Sequence, residues 1–389
     1  MLVKQKRAKT RAKEYEDNFM RAHALELFRA TFHTTPTHAA SAPGRVNLIG
    51  EHTDYNGGPV LPMAIGSRTV AVVAPGESGW LDLVSERDGH RHHVRWDQTL
   101  PPGWPAYVVG VMRELATRGC APSGARLAVA SDVPAGGGLS SSAALTVSTG
   151  RALAALAGVR LSAATLIDVA YRAEHDHVGV RCGIMDQTIV VRARSGHALL
   201  LECATGRTRQ VPVRARFLLA DTGVRHALGT SPYNTRRAEC ESARVELARA
   251  LPGLVHLADW PLSRLRDLRR LLPEPLRSRA THVVTETART REAATLLARG
   301  RLRAFGRLLF ASHESCRRDY ACSAPELDVI VRAARRAGAW GARLTGAGWG
   351  GAVLVLVGPE RLGDGPGERR IVDGIRRAFV GAYGREPGI

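Results

Sequence analysis

The sequence predicts a two-domain protein mixing helices with strands, and three observations carry that expectation. At 389 residues the chain is longer than one hydrophobic core readily organises. From Ala39 to Val84 it reads as short β-rich runs broken by Gly and Pro, whereas beyond a strand at Phe217–Asp221 the composition turns helical. The second half then closes with strand, glycine-rich turn and strand in ARLTGAGWGGAVLVLV. These features place a domain boundary near residue 206, dividing 19–205 from 206–389 behind an extension of residues 1–18.

That extension is polar and basic, has no apolar periodicity and is expected to be disordered. A helix follows over Asn18–Thr31. Val46, Leu48 and Ile49 form a buried strand pattern, and SRTVAVVAP and WLDLVSE are further strands. Gly89–Trp96 (GHRHHVRW) reads as a solvated hairpin turn; no carboxylate or thiolate is spaced to make a metal site of His90, His92 and His93. Next come a helix at Pro105–Arg118, a strand at Ala125–Ala130 and a helix running from the serines at 140–142 to Ala157. Ser162–His177 is read as a helix whose polar end, His175 to His177, frays. Strands are expected at Thr188–Arg192 and His197–Leu201. The remaining helices are Thr235–Arg249, Thr285–Leu297, one before Tyr320, and Pro325–Ala337. There is no repeat of fixed period.

Composition narrows the function classes. Apolar residues make up 44% of the chain and charged ones 23%, the balance of a globular protein. No run has the length of a membrane span, and the N-terminus has no apolar segment behind its charges, so a soluble cytoplasmic monomer is expected. Six scattered cysteines without a CxxC pair suit a reducing compartment. A net charge of +19 raises nucleic acid as a partner, but the only lysines are Lys4, Lys6, Lys9 and Lys13, and arginines are spread along the rest. With 5% aromatics there are few platforms for bases, so dedicated nucleic-acid binding is not expected.

Two strings concentrate chemistry. Pro43–Gly58 (PGRVNLIGEHTDYNGG) packs Arg45, Glu51, His52, Asp54 and Tyr55 into a dozen positions. Carboxylates accept through several lone pairs, so Glu51 and Asp54 could each hold hydroxyls of a neutral polyol. Asp132–Ala144 (DVPAGGGLSSSAA) joins three glycines, Gly136, Gly137 and Gly138, through Leu139 to Ser140, Ser141 and Ser142 at a helix start. Glycines let backbone amides approach an anion, and a helix N-terminus favours negative charge, so this is a candidate phosphate cradle. It is not a Walker A loop, since no lysine follows position 13. Gly346, Gly348 and Gly351 fit GxGxxG, but a strand follows them where a dinucleotide site needs a helix.

The three strings, in this order and spacing, resemble the signatures of the galactokinase family, within the superfamily of galactokinase, homoserine, mevalonate and phosphomevalonate (GHMP) kinases. Tyr233 in SPYNTRRAEC and the segment Ser312–Asp328 extend the likeness over nearly all of residues 38–358. The resemblance implies an α+β fold of an N-terminal ribosomal-protein-S5-like domain and a C-terminal ferredoxin-like domain, with the active site in the cleft between them. It implies transfer of the γ-phosphoryl of ATP to the anomeric hydroxyl of α-D-galactose, with Mg2+. Asp186 in CGIMDQ takes the place of the catalytic base and Arg45 that of the charge stabiliser. Glu51, His52, Thr53, Asp54 and Tyr233 match the sugar site, and residues 136–142 the ATP loop. Ser142 and Glu174, which lies twelve residues before Asp186, match the magnesium ligands. Segment 312–328 is expected to be structural. Three departures stand out: Thr146 where the family has glutamate, and Trp349 and Ala352 where it commonly has Phe and Cys. Two rivals remain: a kinase for another sugar such as N-acetylgalactosamine, and a sensor that binds sugar and ATP without catalysis. The family's sensors lack the serine–alanine pair, which is present here as Ser142–Ala143.

Overall fold

A computed structural model describes residues 19–180, 182–225, 232–358 and 366–389; the basic extension at 1–18 lies outside them. The first helix, α1, covers 19–32. Then follow β1 (His38–Asn47), β2 (Pro59–Val60), β3 (Pro62–Pro75), β4 (Trp80–Ser85), β5 (Arg91–Arg95), α2 (Pro105–Ala116) and β6 (Ala125–Ser131). Helices α3 (Ser141–Leu156), α4 (Ala163–Arg172) and α5 (Met185–Arg192) precede strands β7 (His197–Glu202), β8 (Arg207–Pro212) and β9 (Arg216–Asp221). Next are α6 (Tyr233–Ala250), α7 (Leu268–Leu271), α8 (Leu276–Ala298), α9 (Leu302–Arg318) and α10 (Pro325–Arg336). The chain ends with β10 (Gly341–Thr345), β11 (Ala352–Val357) and α11 (Pro366–Tyr383), a helix for which the sequence reading made no provision.

Contacts group the chain into two units. One holds residues up to Arg45, Ala64–Ala135 and Ser140–Arg192; the other holds Val46–Met63, Gly136–Leu139 and Ala193–Ile389. A cut near residue 206 would fall in the turn between β7 and β8, which pair antiparallel from His197↔Pro212 to Glu202↔Arg207, so the change of unit comes earlier, after Arg192.

In the first unit a five-stranded sheet has the order β1-β3-β6-β4-β5. Strands β3 and β6 are apolar on both faces, and the alternation along β3 decides which helices each face meets. Val70, Val72 and Ala74 pack with Met20, Ala24 and Phe28 of α1. Ala71 and Val73 pack with residues of α2, α3 and α4, among them Val108, Met112, Leu153 and Val169. GHRHHVRW forms β5, paired with β4, with His93 on Asp82 and His92 on Asp88, each at 2.9 Å.

Two sequence expectations fail here. Thr188–Arg192 is helical, not a strand: its β-branched residues read as a strand, but Thr188 donates to the Ile184 carbonyl at 2.8 Å and Gln187, Thr188, Ile189 and Val190 are all buried in α5. The end of the 162–177 helix does not fray but widens into a π-helical turn, Ala173–His177, closed by Val178 N–H on the Ala173 carbonyl. His177 there meets Glu114 at 2.9 Å.

The second unit holds two three-stranded sheets, β10-β11-β9 and β2-β7-β8. The central strand β11 (AVLVLV) is buried throughout, and Val353, Val355 and Val357 share a core with Ile330 of α10 and Ile371, Ile375 and Phe379 of α11. Among the described residues no helix is long and apolar enough to cross a membrane.

Candidate functional site

In the first unit, Arg45 near the end of β1 points a buried guanidinium at Asp186, the second residue of α5. Nε donates to Oδ1 at 2.9 Å and Nη2 to Oδ2 at 2.8 Å, a two-pronged pair with Arg45 6% and Asp186 25% exposed. The hydroxyl of Ser140 also donates to Asp186. Ser140 stands in the left-handed region, φ +59°, at the start of α3, and makes no capping bond; its hydroxyl serves the carboxylate instead of the helix end. Ser141 begins the helix proper.

Glu174 lies in the π-helical turn and is 3% exposed. Gln187 Nε2 donates to its carboxyl at 2.9 Å, the Thr146 hydroxyl lies 3.4 Å away, and the Ser142 hydroxyl also bonds to it. Burial, reinforced by the charge of Asp186 and opposed by the bonds from Ser142, Gln187 and Thr146, pushes the Glu174 carboxyl up to about 7. A buried carboxyl held out of its ordinary range, with a serine hydroxyl beside it, offers an oxygen set suited to a hard cation. Among the described residues no group of three or more His, Cys, Asp or Glu could hold a metal ion.

In the second unit the sugar-like string forms a folded loop. Glu51 is 2% exposed, and its carboxylate is drawn inward. It accepts from the Gly346 amide at 2.7 Å, from Arg343 Nη1 at 3.2 Å and from the Asn47 amide group. Thr53 is fully buried, its hydroxyl facing the carbonyls of Gly50 at 2.9 Å and Pro59 at 2.7 Å. Both residues thus stabilise the loop from within. Asp54 heads a 3-10 turn, Asp54–Asn56, and is half-buried. His52 is 5% exposed and stands in the left-handed region at φ +61°. Its ring stacks on Tyr320, centroids 4.4 Å apart, and lies 5.8 Å from Tyr233, which opens α6.

The third glycine turn is where the first two strings converge. A Cβ on Gly346 would lie 2.9 Å from the Gly138 Cα, so only glycine lets these two backbones touch. Gly346 also reaches Glu51, and Ala347 accepts from His52 at 2.9 Å. Of the phosphate string, Gly136–Leu139 belongs with this unit, and Leu139 is 6% exposed.

Sequence reasoning missed the polar scaffold beneath the loop. Helix α8 turns His282, Glu286 and Thr290, each four residues apart, into the interior. His282 Nε2 meets the Glu51 carbonyl at 3.1 Å, and Glu286 accepts from the Gly50 amide at 3.0 Å and from Ser312 at 2.5 Å. Arg343 of β10, fully buried, bonds to Ser312 at 3.1 Å as well as to Glu51. An arginine in an apolar strand running into a glycine turn was the available signal, because a buried guanidinium requires a partner. Segment 312–328 supplies Ser312, Tyr320 and His313, the last paired with Asp328 at 3.2 Å.

Residues 26–75 match the family described as the galactokinase galactose-binding signature, 106–194 the GHMP kinases N terminal domain, and 293–367 the GHMP kinases C terminal. The galactokinase of Canis lupus familiaris is 44% identical over 351 residues, covering 86% of this chain and 88% of the relative. That of Streptomyces coelicolor is 39% identical over 375 residues, covering 94% of both. The crystal structure of Lactococcus lactis galactokinase complexed with galactose superposes with a TM-score of 0.87 at 30% identity, covering 94% of this chain and 96% of that one. Methanococcus jannaschii mevalonate kinase, at 19% identity over 87% of this chain and 95% of its own, shares the fold with a TM-score of 0.61.

Proposed function

As the chain belongs to the galactokinase family of the GHMP kinases, we propose that it transfers the γ-phosphoryl of ATP to the anomeric hydroxyl of α-D-galactose. The observation that carries this reading is the hold on Asp186: a carboxylate gripped by the buried fork of Arg45 and by Ser140, one-quarter open to solvent. Such a group is aimed and charged for one task, accepting a proton. Asp186 takes the proton of the C1 hydroxyl as that oxygen bonds to the γ-phosphorus, while the bond to the β-phosphate oxygen breaks and ADP leaves. The transition state is loose, so fixed charge and positioning dominate, and Arg45 supplies a permanent, planar cation.

The amides of Gly136–Leu139 and the serines 140–142 cradle the phosphates in this reading. Ser142 and Glu174 would hold Mg2+, which when bound neutralises charge on the transferring phosphate. The sugar is met by Asp54 and Tyr233, while His52, both ring nitrogens bonded within the protein, orders the loop beside them. Thr53 and Glu51 shape that loop from within. Six scattered cysteines without a CxxC pair support a reducing, cytoplasmic location, and we take the protein to act as a monomer.

An ADP-release assay across galactose, glucose and N-acetylgalactosamine tests the assignment. Galactose should be preferred over glucose by ~10⁴-fold in kcat/KM, because groups built to meet one hydroxyl lose their partner when it is inverted. Comparable values for the two sugars would refute the assigned substrate, and preference for N-acetylgalactosamine would favour the other-sugar kinase.

A further inference from the structure

Both ring nitrogens of His52 are engaged, and the chemistry of their partners fixes where its proton sits. The Ala347 carbonyl, 2.9 Å from Nε2, can only accept, so Nε2 carries the hydrogen. Burial first, then the charges of His282 and Arg343, bring the ring's pKa down to about 3, so it is neutral and Nδ1 is bare. The Tyr55 hydroxyl, 2.8 Å away, must therefore donate to Nδ1. Having given its only proton, the Tyr55 oxygen accepts that of Tyr320 at 2.6 Å. The Tyr320 oxygen in turn accepts from the Cys240 thiol at 3.1 Å. Only this direction, from Cys240 through Tyr320 and Tyr55 to His52 and Ala347, avoids setting an acceptor against an acceptor.

We propose that Tyr55 and Tyr320 are positioning residues for the sugar: their hydroxyls lock the His52 imidazole in one tautomer and one orientation, and through Ala347 fix the signature loop to the third glycine turn. The proposal rests on the reading that this loop receives galactose. Packing by itself does not ask for these hydroxyls. The Tyr320 ring stacks on His52 at 4.4 Å and Trp349 meets it edge-on at 5.8 Å, contacts that phenylalanine at 320 would keep. What phenylalanine loses is the imposed proton direction, which in a buried site nothing else restores.

Tyr55→Phe, Tyr320→Phe and the double variant, made in the full chain, separate a positioning role from a structural one. Each single change should raise KM for galactose about 10-fold, the effect of one lost buried hydrogen bond, with kcat and KM for ATP within about twofold. The double variant should be no worse than Tyr55→Phe, since one break already disconnects the chain. Additive effects, or lowered melting temperature with KM unchanged, would overturn the proposal. Ring ¹⁵N NMR, with His52 assigned by difference from His52→Gln, gives an arm that does not depend on the sugar. Wild-type His52 should be the neutral Nε2–H form from pH 5 to 8, and in Tyr55→Phe its Nδ1 signal should move. A titrating ring or the opposite tautomer would refute the chain, and this measurement stands even if a variant does not fold. A wild-type enzyme inert toward galactose but with the expected tautomer would instead sink only the substrate reading.

Discussion

Replacing Asp186 by asparagine removes the proton acceptor while keeping the shape, and the surrounding geometry sets two separate costs. The first is structural. Arg45, 6% exposed, would face an amide oxygen in place of a two-pronged carboxylate 25% exposed. Hydrogen bonds to charged groups contribute about 1.5–3 kcal/mol, and the partial exposure of Asp186 places the loss toward the lower end. With a native stability of ~5 kcal/mol, a loss of 3 would still leave ~97% of the molecules folded. Unfolding therefore lowers apparent kcat by only a few per cent, with a melting temperature some degrees lower. The second cost is catalytic. A general base contributes ~10²–10⁴-fold, or about 2.7–5.4 kcal/mol of activation free energy. The two scales differ so widely that kcat, corrected for folded fraction on the same preparation, decides between them. We expect kcat to fall at least ~100-fold with a modest change in KM for galactose. A folded Asp186→Asn enzyme with kcat within about threefold of wild type would end the catalytic assignment, whatever its melting temperature.

Three further outcomes are expected. Glu174→Gln and Ser142→Ala should weaken use of Mg-ATP while calorimetric galactose affinity stays near wild type; loss of galactose binding with unchanged metal dependence would contradict the assignment. Glu51→Gln leaves the fully buried Arg343 without its carboxylate and should destabilise the protein by about 3–5 kcal/mol, read as a large drop in melting temperature; an unchanged melting temperature would show that the inward pairing contributes little. Burial alone would raise the Glu286 carboxyl, but Arg289, then His282 and Arg343, overcome it and bring it to about 2. A carboxyl depressed on folding stabilises above its unfolded value and loses that contribution as pH falls. Wild type should therefore lose about 3 kcal/mol between roughly pH 4.5 and 2 that Glu286→Gln does not, and parallel acid-unfolding curves would refute it.

The sequence by itself determined which chemical groups are present and in what local frames. A glycine turn running into serines at a helix start, a carboxylate twelve residues ahead of another, and a polar string beside a short apolar strand are short-range features. Each depends on backbone geometry and side-chain inventory within a few residues. For the same reason most helices, and strands such as Trp80–Ser85 and Ala125–Ser131, were legible from periodicity. Tertiary structure decided the rest. Arg45 and Asp186 lie 141 positions apart, and only the fold sets their forks face to face. Residues 188–192 became helical against their β-branched character, because burial of Gln187 to Val190 in α5 outweighs a weak local preference. Glu51 and Thr53, expected at the sugar site, were turned inward by Arg343, Gly346 and the loop's own carbonyls. The polar face of α8 escaped notice for the same cause. Whether a buried charge is tolerated depends on partners supplied from distant segments, and no local pattern of residues encodes that arrangement.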